Sequence, residues 1–239
     1  MSLFRSAFFF KSVASLADAP ASVGEIAFVG RSNTGKSSAI NALTGSQLAF
    51  VSKTPGRTRL INYYALGAER FIVDLPGYGY ARVPDATRAP WEKLLGGYLR
   101  MRAPLRGLAV VMDVRHALTE LDQRMLGWFY PTGKPVHVLL TKADKVSREA
   151  AHKILRRVEA ELAALAPHAS VQLFSSPKRS GLEQAAAVFR AWLDASAPGS
   201  PGAGPGREPN ENPRQDRGWR NKSPRAKRGN QPGAKCLKV

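Results

Sequence analysis

The chain is short of several things, and each shortage narrows what it can be. It has one cysteine, Cys236, four residues from the end. A lone thiol forms no internal disulfide, so a reducing cytoplasm fits and a disulfide-stapled secreted fold does not. The ending CLKV has the outline of a prenylation box, but Lys238 spoils it, and Cys236 reads as an incidental tail residue. No apolar run approaches the roughly 20 residues of a membrane span. The start, MSLFRSAFFFKSVASLADAP, is cut by Lys11 and followed by Asp18, too soon for a signal peptide. Arg5, Lys11 and the serines would suit a transit peptide, but a first strand over 7–13, with Phe8, Phe9 and Phe10 entering a sheet, is the preferred reading. The four histidines, His116, His137, His152 and His168, have no metal-ligand spacing.

Acidic residues are also scarce. Against 36 Lys and Arg stand 18 Asp and Glu, a net charge of +18. Residues 196–239 hold ten Lys/Arg and three Asp/Glu, a net of +7, which leaves +11 for residues 1–195. Both parts are basic, and a strongly basic soluble chain is expected to meet a polyanion, most commonly nucleic acid. From Ser196 onward the text is rich in Pro, Gly, Arg, Lys and Asn, with only Trp219, Leu237 and Val239 as sizeable apolar residues. Such a segment cannot bury enough surface to offset its ordering entropy and is expected to be a disordered basic tail. Trp219 within RGWRNKSPRAKR could stack on a base; a merely solubilising tail is the plain alternative.

What is present in 1–195 is an alternation of strand and helix. Strands are expected at EIAFVG (25–30), LINYYAL (60–66), RFIVDLP (70–76), GLAVVMD (107–113), PVHVLLT (135–141) and SVQLFSS (170–176). Helices are expected over 36–44, 90–102, 118–130, 147–165 and 181–195. For the fourth, Ser147 is the N-cap, and Ala150, Ile154, Val158, Leu162 and Leu165 share a face. The pattern predicts an α/β fold with a mostly parallel, mixed six-stranded sheet covered by helices on both faces. The hairpin around Gly67–Glu69 makes it mixed.

Four strand ends carry chemistry. GRSNTGKSS follows the first buried strand and opens a helix, which is the context a phosphate loop requires. Backbone N–H groups of Gly30, Arg31, Ser32, Asn33, Thr34 and Gly35 would wrap the phosphates, Lys36 reach the β and γ oxygens, and Ser37 ligate Mg²⁺. DLPG places Asp74, Leu75, Pro76 and Gly77 where a carboxylate holds Mg²⁺ through water and the Gly77 N–H meets the γ-phosphate. In LLTKAD, Thr141 and Lys142 lead to Ala143 and Asp144. The Asp144 carboxylate would accept from guanine N1–H and the 2-amino group, which adenine cannot supply. Asn is more usual where Thr141 stands, which leaves part of the base anchoring open. FSS ends the last strand, with the N–H groups of Ser175 and Ser176 after Phe174 expected on guanine O6. Together the four have the order and spacing of a P-loop GTPase, with ligands at the carboxyl ends of parallel strands. Between the first two lies SKTPGRTRLINYY, the natural switch I, in which Thr54 and Thr58 compete as the Mg²⁺ and γ-phosphate sensor. Tyr78 stands where Ras-type enzymes carry the Gln that orients water.

The strings GRSNTGKSS, SKTPGRTRLINYY, DLPGYGYARV, VMDVRHALTELD, LLTKADK and FSSPKRSG resemble those of the EngB (YihA/YsxC) family in the TrmE–Era–EngA–EngB group of P-loop GTPases. The resemblance covers residues 7–195 and leaves out the tail. It implies that Thr58 is the sensor, that Gly56, Arg57, Arg59 and Leu60 line the nucleotide with it, and that Thr141 is normal. It implies a slow cytoplasmic GTPase, monomeric and away from membranes. Its expected partners are GTP, GDP and a large-ribosomal-subunit precursor with its RNA, in a role tied to cell division and septation. It also implies that Asn33 helps hold K⁺ beside the phosphates, against the alternative that Asn33 only shapes the loop. Two other readings remain at this stage: an RNA-binding assembly factor in which nucleotide only gates binding, and a P-loop ATPase, against which Asp144 argues.

Overall fold

The computed structural model describes residues 2–49, 60–78, 94–166 and 168–195. Seven strands form one sheet: β1 (Phe8–Val13), β2 (Gly24–Gly30), β3 (Ile61–Gly67), β4 (Arg70–Asp74), β5 (Leu105–Asp113), β6 (Val136–Thr141) and β7 (Ala169–Leu173). The helices are α1 (Ser2–Arg5), α2 (Lys36–Thr44), α3 (94–101), α4 (Glu120–Phe129), α5 (Arg148–Leu165) and α6 (Leu182–Asp194). The spatial order is β1-β3-β4-β2-β5-β6-β7. β2 runs parallel to both β4 and β5, and β6 and β7 continue parallel. β3 is antiparallel to β4, as the hairpin requires.

The sheet has seven strands where six were expected. The seventh is the N-terminal β1, which runs antiparallel along β3 and covers what would otherwise be an open edge. Phe8, Phe9 and Phe10 do enter the sheet, but as edge residues 55%, 52% and 48% exposed. The register shifts between Phe9 and Lys11, so Phe10 bulges, and the two rings find different neighbours. Phe9 meets Tyr64 edge-on and Phe10 meets Phe71.

Strand alternation divides the interior in two. Ala27 and Val29 of β2 face one core with Val110 and Met112 of β5 and Val138 and Leu140 of β6. Leu95, Tyr98 and Leu99 of α3, Met125, Leu126 and Phe129 of α4, and Val158 and Leu162 of α5 cover that side. Ile26 and Phe28 face the other core, closed by Phe4 of α1, Ile40 and Leu43 of α2 and Phe189 of α6. All seven β2 residues are buried, which is why its centre, Ile26 to Val29, reads as an unbroken apolar run. Ser147 caps α5 as expected, its hydroxyl accepting from the Ala150 N–H. The buried stripe of α5 is slightly rotated from the expected one: Ala151, Val158 and Leu162 are buried, Ile154 is half-buried, and Leu165 at the helix end is exposed. No helix among the described residues is long and apolar enough to cross a membrane. The tail from Ser196, including Trp219 and Cys236, lies outside the described residues.

At the amino end of β2, the fully buried Glu25 accepts from the Tyr98 hydroxyl at 2.6 Å and from Arg102 at 2.6 and 3.0 Å. This ties the end of α3 to the sheet. Removing one partner of a buried ion pair leaves the other uncompensated, so Glu25→Ala should lose about 3–5 kcal/mol of stability, read by urea denaturation.

Candidate functional site

β2, the strand where the connectivity reverses, ends at Gly30, and the crevice beyond the carboxyl ends of such strands is where open α/β sheets take ligands. The phosphate loop leaves β2 there. A Cβ on Gly30 would lie 2.6 Å from the Val111 carbonyl oxygen and 2.8 Å from the Thr34 hydroxyl, so only glycine lets the loop pass. The loop closes on itself: the Thr34 N–H and hydroxyl donate to the Arg31 carbonyl at 3.3 and 2.9 Å. Asn33 (φ 63°) and Gly35 (φ 94°) both sit in the left-handed region. Gly35 is the N-cap of α2 and brings no side chain to its N-terminus. The first N–H groups of α2, from Lys36, Ser37 and Ser38, are those a helix leaves without intrahelical acceptors, a ready anion site.

The other three strand ends converge on this loop. β4 delivers Asp74, 4% exposed, whose carboxylate contacts the Lys36 ammonium. Leu75 donates its N–H to the Phe28 carbonyl at 3.0 Å and Tyr78 donates to the Gly30 carbonyl at 3.2 Å, so Leu75, Pro76 and Gly77 run beside the end of β2. β6 delivers Thr141 and Lys142. The Thr141 hydroxyl bonds the carbonyls of Thr34 and Met112. Thr141 therefore buttresses the phosphate loop. Lys142, held at φ 57°, donates to the Asn33 carbonyl at 2.7 Å and pairs with Asp113 at 2.9 Å.

Asp144 accepts from the Ser175 hydroxyl at 2.6 Å. That bond above all, with Lys145 beside it, holds the carboxyl below its ordinary value and ionised as an acceptor. The Ser175 N–H, expected on guanine O6, is committed elsewhere: it donates to the Ser180 carbonyl at 3.1 Å, in a bridge that closes the loop after β7. The Ser175 N–H is thus taken up within the loop, and the Ser175 hydroxyl orients Asp144 instead. Phe174 points its ring into the core and offers only backbone; its carbonyl accepts from the Ala143 N–H at 3.2 Å. Leu60 is exposed just before β3. Gly56, Arg57, Thr58 and Arg59 lie outside the described residues, as do Thr54 and Tyr80.

Ser37 and Asp74 are hard oxygen donors of the kind Mg²⁺ takes, together with phosphate and water oxygens. Among the described residues no cluster of three or more His, Cys, Asp and Glu could hold a metal by protein ligands alone, and a phosphate-bound Mg²⁺ requires none. His137 is a core residue. Its Nδ1 meets Ser170 at 2.7 Å, its Nε2 meets Gln172 at 2.9 Å, and burial lowers its pKa.

Three residues of the site were not singled out in the sequence. Asp113, ending β5, accepts from the Arg115 N–H, Nε and Nη2 at 3.0, 2.9 and 2.6 Å as well as from Lys142. Burial alone would raise its pKa; the Arg115 and Lys142 bonds outweigh burial and hold it far below the usual carboxylate range. Asp122 and Thr119 begin α4 beside Tyr78 and Arg31. The available signals were an apolar strand ending in Asp and the T-x-x-D cap of a helix.

The comparisons agree with this geometry. A family model described as "50S ribosome-binding GTPase" matches residues 25–142. The chain is 55% identical over 195 residues to a probable GTP-binding protein EngB of Methylobacillus flagellatus, covering 81% of this chain and 94% of that one. It is 57% identical over 188 residues to the protein of the same description from Thiobacillus denitrificans, covering 78% and 91%. Among solved structures it is similar to a probable GTP-binding protein engB (TM-score 0.57, 19% identity, 71% of this chain and 98% of that one). It is also similar to Aquifex aeolicus Era bound to GDP and aluminium fluoride (TM-score 0.59, 21% identity, 76% and 60%).

Two outcomes are expected at the site. Asp113's depressed pKa means its stabilisation is complete above its unfolded value, near 4, and is lost as the pH falls from there toward the folded value. Asp113→Asn should therefore lower stability at neutral pH and flatten its fall below about pH 4, seen as a shallower dependence of Tm on pH. Ser175→Ala should weaken GDP binding about tenfold in a fluorescence titration, the worth of one lost hydrogen bond to an ionised acceptor.

Proposed function

The chain belongs to the EngB family of P-loop GTPases, and from that premise we propose that it hydrolyses GTP slowly as a switch in assembly of the large ribosomal subunit. The observation that carries the nucleotide part is the meeting of four strand ends, those of β2, β4, β6 and β7, around one phosphate loop. The ribosomal part rests on the matching family model's description and on a net charge of +18, suited to a particle built of RNA. The role extends to cell division and septation through the supply of ribosomes, and the working state is a cytoplasmic monomer.

In this reading the α2 N-terminus and Lys36 hold the β and γ phosphates, and Gly77 offers its N–H to the γ-phosphate. Ser37, Thr58 and, through water, Asp74 would hold Mg²⁺, which would supply positive charge against that of the phosphates. Asp144 selects guanine, with the Lys142 stem over the base and the Ser176 N–H on O6. The Tyr78 side chain is buried and bonded to Asp122, so it does not orient the attacking water. Asn33 would lie beside the same phosphates, and a K⁺ held there would stabilise charge on the transferring phosphoryl group. Turnover without a partner is accordingly slow.

Depletion of the protein should accumulate large-subunit precursors on a sucrose gradient; a normal profile removes the assembly role. A Lys36→Ala variant that still supports assembly would favour an RNA-binding factor with an idle nucleotide site, and GTP should outcompete ATP in binding. Hydrolysis should be faster in K⁺ than in Na⁺, with the difference lost in Asn33→Ala; equal rates remove K⁺ from the mechanism. Association with pre-ribosomal particles should weaken as salt rises, and less steeply once 196–239 are deleted.

A further inference from the structure

The residue after DLPG is joined to the body at two points. The Tyr78 N–H donates to the Gly30 carbonyl at 3.2 Å, and its hydroxyl donates to Asp122 Oδ1 at 2.6 Å. Asp122 is 1% exposed. Its Oδ2 accepts from the Thr119 N–H and hydroxyl, both at 2.8 Å, which caps α4. The Thr119 hydroxyl in turn accepts from Arg31 Nη1 of the phosphate loop at 3.4 Å. The phosphate loop, the end of the DLPG stretch and the first turn of α4 thus share one buried carboxylate. Burial first, and then the Asp122 carboxylate, push the Tyr78 phenol well above its ordinary pKa, so it stays a donor.

We propose that the Tyr78–Asp122 hydrogen bond is a latch that positions Gly77 for the γ-phosphate, making Tyr78 and Asp122 positioning residues for hydrolysis and linking the γ-phosphate sensor to helix α4. The inference rests on the GTPase reading of this site. Gly77 lies between two backbone anchors, Leu75 on Phe28 and Tyr78 on Gly30. The phenol is the side-chain anchor that holds the second of these in place. Withdrawing Tyr78 strips Oδ1 of a buried carboxylate of this donor, which is unfavourable. The arrangement with Gly77 held at the phosphate loop is favoured by the same amount. Thr119 remains on Oδ2 whether or not the latch is closed, so the cap of α4 survives loss of the phenol. Because the γ-phosphate distinguishes GTP from GDP, the latch acts on GTP and leaves GDP alone.

The test compares the full-length protein with Tyr78→Phe and Asp122→Asn, reading single-turnover GTP hydrolysis and affinities for GDP and a non-hydrolysable GTP analogue. Tyr78→Phe should lower analogue affinity and the single-turnover rate about tenfold, the loss of one hydrogen bond to a charged acceptor, with GDP affinity within about twofold of wild type. Asp122→Asn leaves a single, uncharged acceptor oxygen; with that oxygen on the Tyr78 phenol, the amide N–H₂ faces the Thr119 donors, so the α4 cap weakens too, and analogue affinity and rate should both fall by about threefold. Unchanged values in Tyr78→Phe, or an equal fall for GDP and the analogue, would overturn the latch. If Tyr78→Phe is insoluble, Asp122→Asn decides alone: a fall confined to the analogue supports the latch, and no fall overturns it. A wild-type protein that turns over no GTP would count against the GTPase reading itself, whereas normal wild-type turnover with unchanged variants counts against the latch only.

Discussion

A loop that gives its N–H groups to a polyanion must turn carbonyl groups the other way, and those carbonyls need donors. Here two of those donors, to adjacent carbonyls, come from a single dipeptide. Thr141 serves the Thr34 carbonyl and Lys142 serves the Asn33 carbonyl. Asp113, itself fixed by Arg115, holds the Lys142 ammonium in place. The end of β6 therefore helps set the shape of the phosphate loop, including the left-handed residue at Asn33. A lysine alone, swinging on a four-carbon stem, would satisfy that carbonyl only part of the time; paired with a buried carboxylate it has one place to be.

Much of this was readable in the sequence because it is local. The burial of β2, the α2 helix beginning at Lys36, the hairpin of β3 and β4 and the Ser147 cap all follow from short-range pattern and turn chemistry. What escaped was nonlocal or directional. Sequence placed Ser175 at the base but could not show that its N–H answers Ser180 while its hydroxyl turns to Asp144. It placed Thr141 at a strand end without showing which loop the hydroxyl faces. Nothing in the strings DLPGY and TELD announces that Tyr78 and Asp122, 44 residues apart, meet in the interior. The β1 strand was legible, but that it adds a seventh strand at the edge depends on pairing with β3, a tertiary fact.

The absence of Gln after DLPG first looked like a missing catalytic part. In the fold, the residue that replaces it has been given different work. An amide at that place would face water; the Tyr78 ring lies in the core with Val29 and Leu118, and its hydroxyl closes the valence of a buried carboxylate. The substitution moves the residue from chemistry to architecture.

The separation of the interior into two cores has a mechanical consequence. Tyr78 belongs to the core shared by α3, α4 and α5, while α2 and α6 pack in the other with Ile26 and Phe28 between them. The sheet is thus a bulkhead. The helix behind the phosphate loop packs on one side of it and the Tyr78–Asp122 pair lies on the other, so under the latch proposed above grip and signal occupy opposite sides of a single layer of strands.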